Sequence, residues 1–188
     1  MIIIGLGNKA RQGKDTAGEA IVSYFNGKRE HQRKLGLKVA TPEARIFKFA
    51  DALYKVCREE YGMKEKDAFL LQKVGEGRRN EFGLNYWIDQ LAISMAEFNG
   101  IAVITDMRYT NEADWVKGRG GFTIQVTRLN EDGTQYIAAD RDPNFISEIQ
   151  LDSYNYDAYI RSKSSVLTAE LAITHAEYFR ALKGSNDR

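Results

Sequence analysis

The sequence is poor in residues that staple or punctuate a chain. Its 188 residues include one cysteine, two prolines and two histidines. A single cysteine excludes an internal disulfide framework and a cysteine-rich zinc site. His31 lies in a charged run and His175 on a helical pattern, so they share no zinc-ligand spacing and offer no Ser–His–Asp constellation. No apolar run approaches the roughly 18 residues that span a bilayer. The opening Met-Ile-Ile-Ile-Gly-Leu-Gly is too short for a secretion signal and lacks its basic lead. An excess of one charge is also missing: 27 Lys+Arg stand against 26 Asp+Glu, a net charge of +1. That balance excludes a protein that holds nucleic acid by bulk electrostatics. What remains is one soluble domain of a reducing compartment, most simply cytoplasm, with 43% hydrophobic residues to build a core.

The apolar run at residues 1–7 reads as a buried strand, and the polar stretch Asn8 to Thr16 as a loop. Ala17, Ala20, Ile21, Tyr24 and Phe25 then recur at helical spacing, with Asn26-Gly27 as a stop signal. Residues 27–42 are basic and read as an exposed excursion. Ala44 to Ala50 predicts a second strand. Helices are expected from Leu53 to near Gly62, from Lys64 to Val74 and from Trp87 to Asn99-Gly100. Cys57 falls at core spacing, and Trp87, Trp115 and the tyrosines from Tyr154 to Tyr159 suit packing. Ile101 to Thr105 is continuous and apolar, the pattern of a parallel strand buried on both faces. A helix capped by Asn111 follows, and Phe122, Ile124 and Val126 alternate as the next strand. Asp132-Gly133 predicts a hairpin turn between Leu129 and Ile137. Residues 138–153 read as irregular, Ala158–Ile160 as a last strand, and Leu167 to Leu182 as a closing helix. Alternating strands and helices predict an α/β fold, with a mainly parallel sheet of about five strands flanked by helices.

Gly13-Lys14 sits between the first strand and the first helix. Backbone N–H groups there can converge on a phosphate, and the helix N-terminus adds roughly half a positive charge. Gly13 admits oxygens close to the main chain, and Lys14 can bridge terminal phosphates and follow their charge during transfer. This is the logic of the Walker A loop. Asn8 stands where that pattern has glycine, and Asp15 where it has Ser/Thr, with Thr16 next. Asn tolerates unusual backbone angles, and a carboxylate is a hard oxygen donor suited to Mg²⁺.

The segment Asn8-Lys9-Ala10-Arg11-Gln12-Gly13-Lys14-Asp15-Thr16 resembles the G-K-x-R-x-G-K-D-T loop of phage-type deoxynucleoside monophosphate kinases, of the P-loop NTPase superfamily. The likeness continues in order through Phe49-Ala50-Asp51, Leu70-Leu71-Gln72 with Gly75 and Arg78, Trp87, Asp106-Met-Arg108 with Asn111-Glu112-Ala113, Val126-Thr127-Arg128, and Ser147-Glu148 with Asp152. The resemblance implies a three-layer P-loop kinase fold in one domain over residues 1–188. It places an acceptor-binding helical region at about 50–100 and a lid-like insertion at about 128–153. It also implies transfer of the ATP γ-phosphate to a deoxynucleoside monophosphate, with ATP and Mg²⁺ as cofactors and small nucleotides as partners; homodimerisation stays open. Residues 8–16 and Arg141 are then expected to bind ATP. Lys14, Arg78 and Arg108 are the expected catalytic cations. Asp51, Gln72, Arg78, Arg108 and Glu112 are expected acceptor contacts, and Asp15 and Asp106 expected Mg²⁺ contacts, in part through water. Arg108 also has a plainer reading, as an ion-pair partner of Asp106 or Glu112, and Asp51 as a helix cap. Three other functions stay open. The Gly-Lys-Asp loop also occurs in animal phosphomevalonate kinases, so a kinase for another small metabolite is one. A nucleotide-binding ATPase without phosphotransfer is the second. Nucleic-acid binding through residues 28–38 is the third, although Glu30 interrupts that charge.

Overall fold

The computed structural model describes residues 1–139 and 142–186. It forms two compact units. The larger holds residues 1–46 and the chain from Phe98 onward, and the smaller is Phe47–Glu97.

The larger unit is a three-layer α/β structure. Its elements are β1 (Ile2–Gly7), α1 (Lys14–Lys34) and β2 (Ala44–Phe47, reaching the unit boundary). The chain then runs through the smaller unit, which holds α2 (Phe49–Tyr61), α3 (Ala68–Phe82) and α4 (Tyr86–Ser94). The larger unit resumes with β3 (Ile101–Met107), α5 (Thr110–Gly118), β4 (Phe122–Arg128), α6 (Ile146–Ile149), β5 (Ala158–Ser162) and α7 (Ser165–Asn186). One five-stranded sheet runs in the order β2-β3-β1-β4-β5. β1 pairs in parallel with β3 and β4, and β4 with β5, in a register that sets Ile4 beside Val103 and Val126 beside Ile160. The central strands β1 and β3 are buried almost end to end because both faces are covered, whereas exposed or half-buried positions interrupt β4 and β5 toward the edge. On one face α1 and α7 press Ala17, Ile21, Phe25, Ala172 and Phe179 against Ile4, Leu6, Val103, Ile124 and Val126. On the other, α5 buries Ala113 and Val116 completely. The connection leaving β1 leads toward β2 and that leaving β3 leads to β4, so the chain diverges at the carboxyl ends of two adjacent strands. In open α/β sheets that crevice is where ligands bind.

Several boundaries differ from the sequence expectation. Helix α1 does not stop at Asn26-Gly27 but continues to Lys34. The Asn26 amide is used sideways: it donates to Ala44 O and accepts from Ala44 N, both at 2.9 Å. Arg29 donates to Thr41 O, Gln32 accepts from Thr41 N, and Lys28 pairs with Glu177 at 2.8 Å. Tertiary bonds thus carry the helix across a residue pair of low helix propensity. The expected excursion shrinks to the turn after Leu35. β2 ends at Phe47, earlier than expected. Helix α5 starts one residue before the expected cap: its N-cap is Tyr109, not Asn111. The tract expected to be irregular contains the short helix α6. No helix among the described residues is long and apolar enough to cross a membrane.

The smaller unit, α2 to α4, is helical. Helix α2 ends at Gly62, as expected, but α3 begins four residues after the expected Lys64 start and runs beyond Val74, and α4 stops at Ser94. Asp67 sets the α3 start by accepting from Leu70 N at 2.9 Å. Cys57, Leu71 and Val74 form the core, and the Trp87 indole donates to Gly75 O at 3.1 Å. Burial raises the Cys57 thiol pKa above its usual value, so this cysteine is a core residue and not a reactive one.

Candidate active site at the glycine-lysine loop

The loop from Asn8 to Gly13 leaves β1 and enters α1 at the carboxyl edge of the sheet. Two residues in it carry the shape. Gly13, the helix N-cap, has φ 93°, a value that glycine adopts without cost. Asn8 has φ 135° and is 5% exposed. Its amide donates to Val126 O and Thr127 Oγ1, both at 2.9 Å, and its Oδ1 accepts from Lys9 N at 2.7 Å. The residue that departs from the Walker pattern is therefore a staple between the loop and β4. Gln12 is a second strut, buried, donating to Tyr136 O at 2.7 Å and accepting from Arg128 N at 2.9 Å. It ties the loop to the hairpin after β4, where Leu129 bridges to Gln135 and Gly133 takes a positive φ, as expected for Asp132-Gly133.

Lys14 is the first residue of α1 and is buried. Its Nζ donates to Asn8 O at 2.8 Å and Lys9 O at 2.5 Å. Burial, and then the nearby Arg108 guanidinium, push its pKa down to about 7, while Glu148, Asp106 and Asp15 oppose the shift. An ammonium held this close to neutral gains strongly from an incoming anion. The first N–H groups of α1 have no carbonyl partner within the helix and point toward the same region.

β3 delivers the other charges. Thr105 donates to Asp15 Oδ1 at 3.1 Å, so the exposed Asp15 and the half-buried Asp106 both lie close to Lys14. Glu112 is buried, and its Oε2 accepts from Arg108 N at 2.7 Å and Tyr109 N at 3.0 Å. That oxygen is committed to the backbone at the start of α5. The Arg108 guanidinium pairs with Glu148 at 2.5 Å, while Glu112, one of its expected partners, takes its backbone N–H. Glu148 Oε2 also accepts from Ala10 N at 2.8 Å. Lys9 reaches the same segment, donating to Glu148 O at 2.7 Å and pairing with Asp152. A pocket of about 440 Å³ borders the loop, with Asn8, Lys9, Gln12, Gln125, Tyr136 and Glu148 in its lining.

Asp106 and Arg108, distant in sequence, thus come together with Lys14, Asp15 and the loop. Arg11 and Thr16 lie in the same loop and first turn, Arg11 at φ 56°. Asp51, Gln72 and Arg78 belong to the helical unit. Asp51 is exposed in the first turn of α2, whose N-cap is Lys48, and Gln72 is exposed on α3. Arg78 pairs with Glu60 and lies 5.4 Å from the Phe82 ring. Arg141 lies outside the described residues. Sequence reasoning missed Gln12 as a strut and Glu148 as the partner of Arg108. Both depend on contacts more than a hundred residues away or across an irregular tract, where periodicity carries no signal.

No family model matches the chain, and no curated protein matches it. Among solved structures it is similar to shikimate kinase from Aquifex aeolicus VF5, with a TM-score of 0.46 and 12% identity over 98% of both chains.

Proposed function

We propose that this chain is a P-loop kinase that transfers the γ-phosphate of ATP to a deoxynucleoside 5′-monophosphate, giving the diphosphate and ADP. One observation carries the reading: a buried lysine of lowered pKa, at a helix N-terminus and on a glycine turn, with an arginine and two carboxylates brought beside it by β3 and α1. That arrangement suits phosphoryl transfer, which needs positioning and charge stabilisation more than covalent chemistry. An acceptor phosphate oxygen forms the new bond to Pγ, and the bridging oxygen to ADP leaves with its electron pair. Lys14 and the α1 amides hold the triphosphate, and Arg108 meets charge on the transferring group. Asp15, Asp106 and Thr16 offer hard oxygens that fit Mg²⁺. Among the described residues no three His, Cys, Asp or Glu side chains form a self-contained cation cage. This sparse donor set suits an ion that keeps phosphate oxygens and water among its ligands. When bound, Mg²⁺ would offset charge on the β- and γ-phosphates.

The deoxynucleotide acceptor rests on the ordered resemblance, Leu70-Leu71-Gln72 and Asp106-Met-Arg108 with Asn111-Glu112 above all. The test is a phosphate-transfer panel with dTMP, dGMP, dCMP, dAMP, modified pyrimidine nucleotides and non-nucleotide acceptors. Turnover on at least one deoxynucleoside monophosphate is expected. Activity confined to a non-nucleotide, or ATP binding without any acceptor-dependent ADP release, defeats the reading.

A further inference from the structure

We propose that Glu148 is a positioning residue: it grips one edge of the Arg108 guanidinium and the Ala10 amide together, and so presents the rest of the guanidinium to a phosphate in the loop. The inference rests on the kinase reading and adds a residue to it.

Glu148 is 6% exposed, and a carboxylate so buried needs compensation at both oxygens. Oε1 takes Arg108 Nη1 at 2.5 Å and Oε2 takes Ala10 N at 2.8 Å. Its place is fixed independently of that pair, because Lys9 Nζ donates to the Glu148 carbonyl and to Asp152, at 2.7 and 2.8 Å. The other end of Arg108 is fixed as well, through its backbone N–H to Glu112. The arginine is therefore held at main chain and head group. A guanidinium carries five N–H donors in a fixed fork. One is used by Glu148, and among the described residues no other hydrogen-bond or ion-pair partner of the guanidinium occurs. The remaining donors are the part of the fork that suits phosphate oxygens. The second oxygen bonds the loop itself, so the pair ties the Arg108 head group to the main chain of Ala10.

The experiment is a double-substitution cycle with Glu148→Ala, Arg108→Ala and both together. It reads kcat and KM for ATP, with the Arg108 side-chain NMR signal as a second readout. Glu148→Gln, which keeps the shape and an acceptor oxygen, guards against misfolding. Arg108→Ala is expected to lower kcat on the order of a hundredfold. Glu148→Ala is expected to lower it about tenfold or more, with KM for ATP changed less than about threefold and the restricted Arg108 signal lost. In the Arg108→Ala background, Glu148→Ala should cost nothing further, and Glu148→Gln should fall between wild type and Glu148→Ala. Losses that multiply, an unchanged kcat, or a change in KM alone overturn the proposal. A wild type that transfers no phosphate, with an Arg108 signal still dependent on Glu148, overturns the kinase reading while supporting the anchoring.

Discussion

Replacing Asn8 by glycine restores the residue that the Walker pattern favours, and the structure predicts that it weakens the protein. Glycine would relieve the backbone at φ 135°, a gain of about 1 kcal/mol. Against this, three hydrogen bonds vanish, to Val126 O, Thr127 Oγ1 and Lys9 N. Each is worth about 1 kcal/mol net, and more where the partner stays buried and unsatisfied. At 5% exposure the site gives water little access to replace them. The balance is a loss of about 2–3 kcal/mol. For a chain of this size that lowers Tm by about 5–10 °C. Urea unfolding checks it: the midpoint should fall with an unchanged slope, since the loss is local. Asn8→Ala should be worse, because it loses the same bonds and keeps the strain. A glycine variant as stable as wild type would refute the staple, and with it the account of how this loop keeps its shape without the expected glycine.

Two further predictions follow from the same region. Lys14 titrates at about 7, and a bound polyphosphate raises that value toward the ordinary lysine range, so binding takes up a proton above neutrality. ATP affinity should therefore weaken about tenfold between pH 6 and pH 8, with calorimetric heats that depend on buffer ionisation; affinity flat across that window contradicts the assignment. Gly18 lets α1 lie against β3, and a Cβ there would meet Thr105 Cγ2 at 2.3 Å. Gly18→Ala should cost about 1–3 kcal/mol and, by displacing the donor to Asp15, reduce turnover as well as stability. Loss of stability alone would separate Thr105 from the site.

The parallel sheet was legible because β1, β3 and β4 are buried on both faces and leave continuous or alternating apolar runs. The glycine-lysine loop was legible because its chemistry is local: strand, turn and helix start lie within a few residues. What stayed hidden depends on distant partners. The extension of α1 past Gly27 needs Thr41, Ala44 and Glu177. The shape of the loop needs Val126, Thr127 and Tyr136. The partner of the Arg108 guanidinium is Glu148, in a tract without periodicity, while the sequence neighbour Glu112 takes only its backbone N–H.

The central claim is that the Gly13 turn and the Lys14 ammonium grip a triphosphate. Calorimetric titration of ATP with Mg²⁺ into wild type and Lys14→Ala, each first shown to unfold at the same temperature or higher, tests it most directly. The account predicts binding by wild type and a loss on the order of a hundredfold or more in the variant. Equal affinity in a folded Lys14→Ala protein would contradict it.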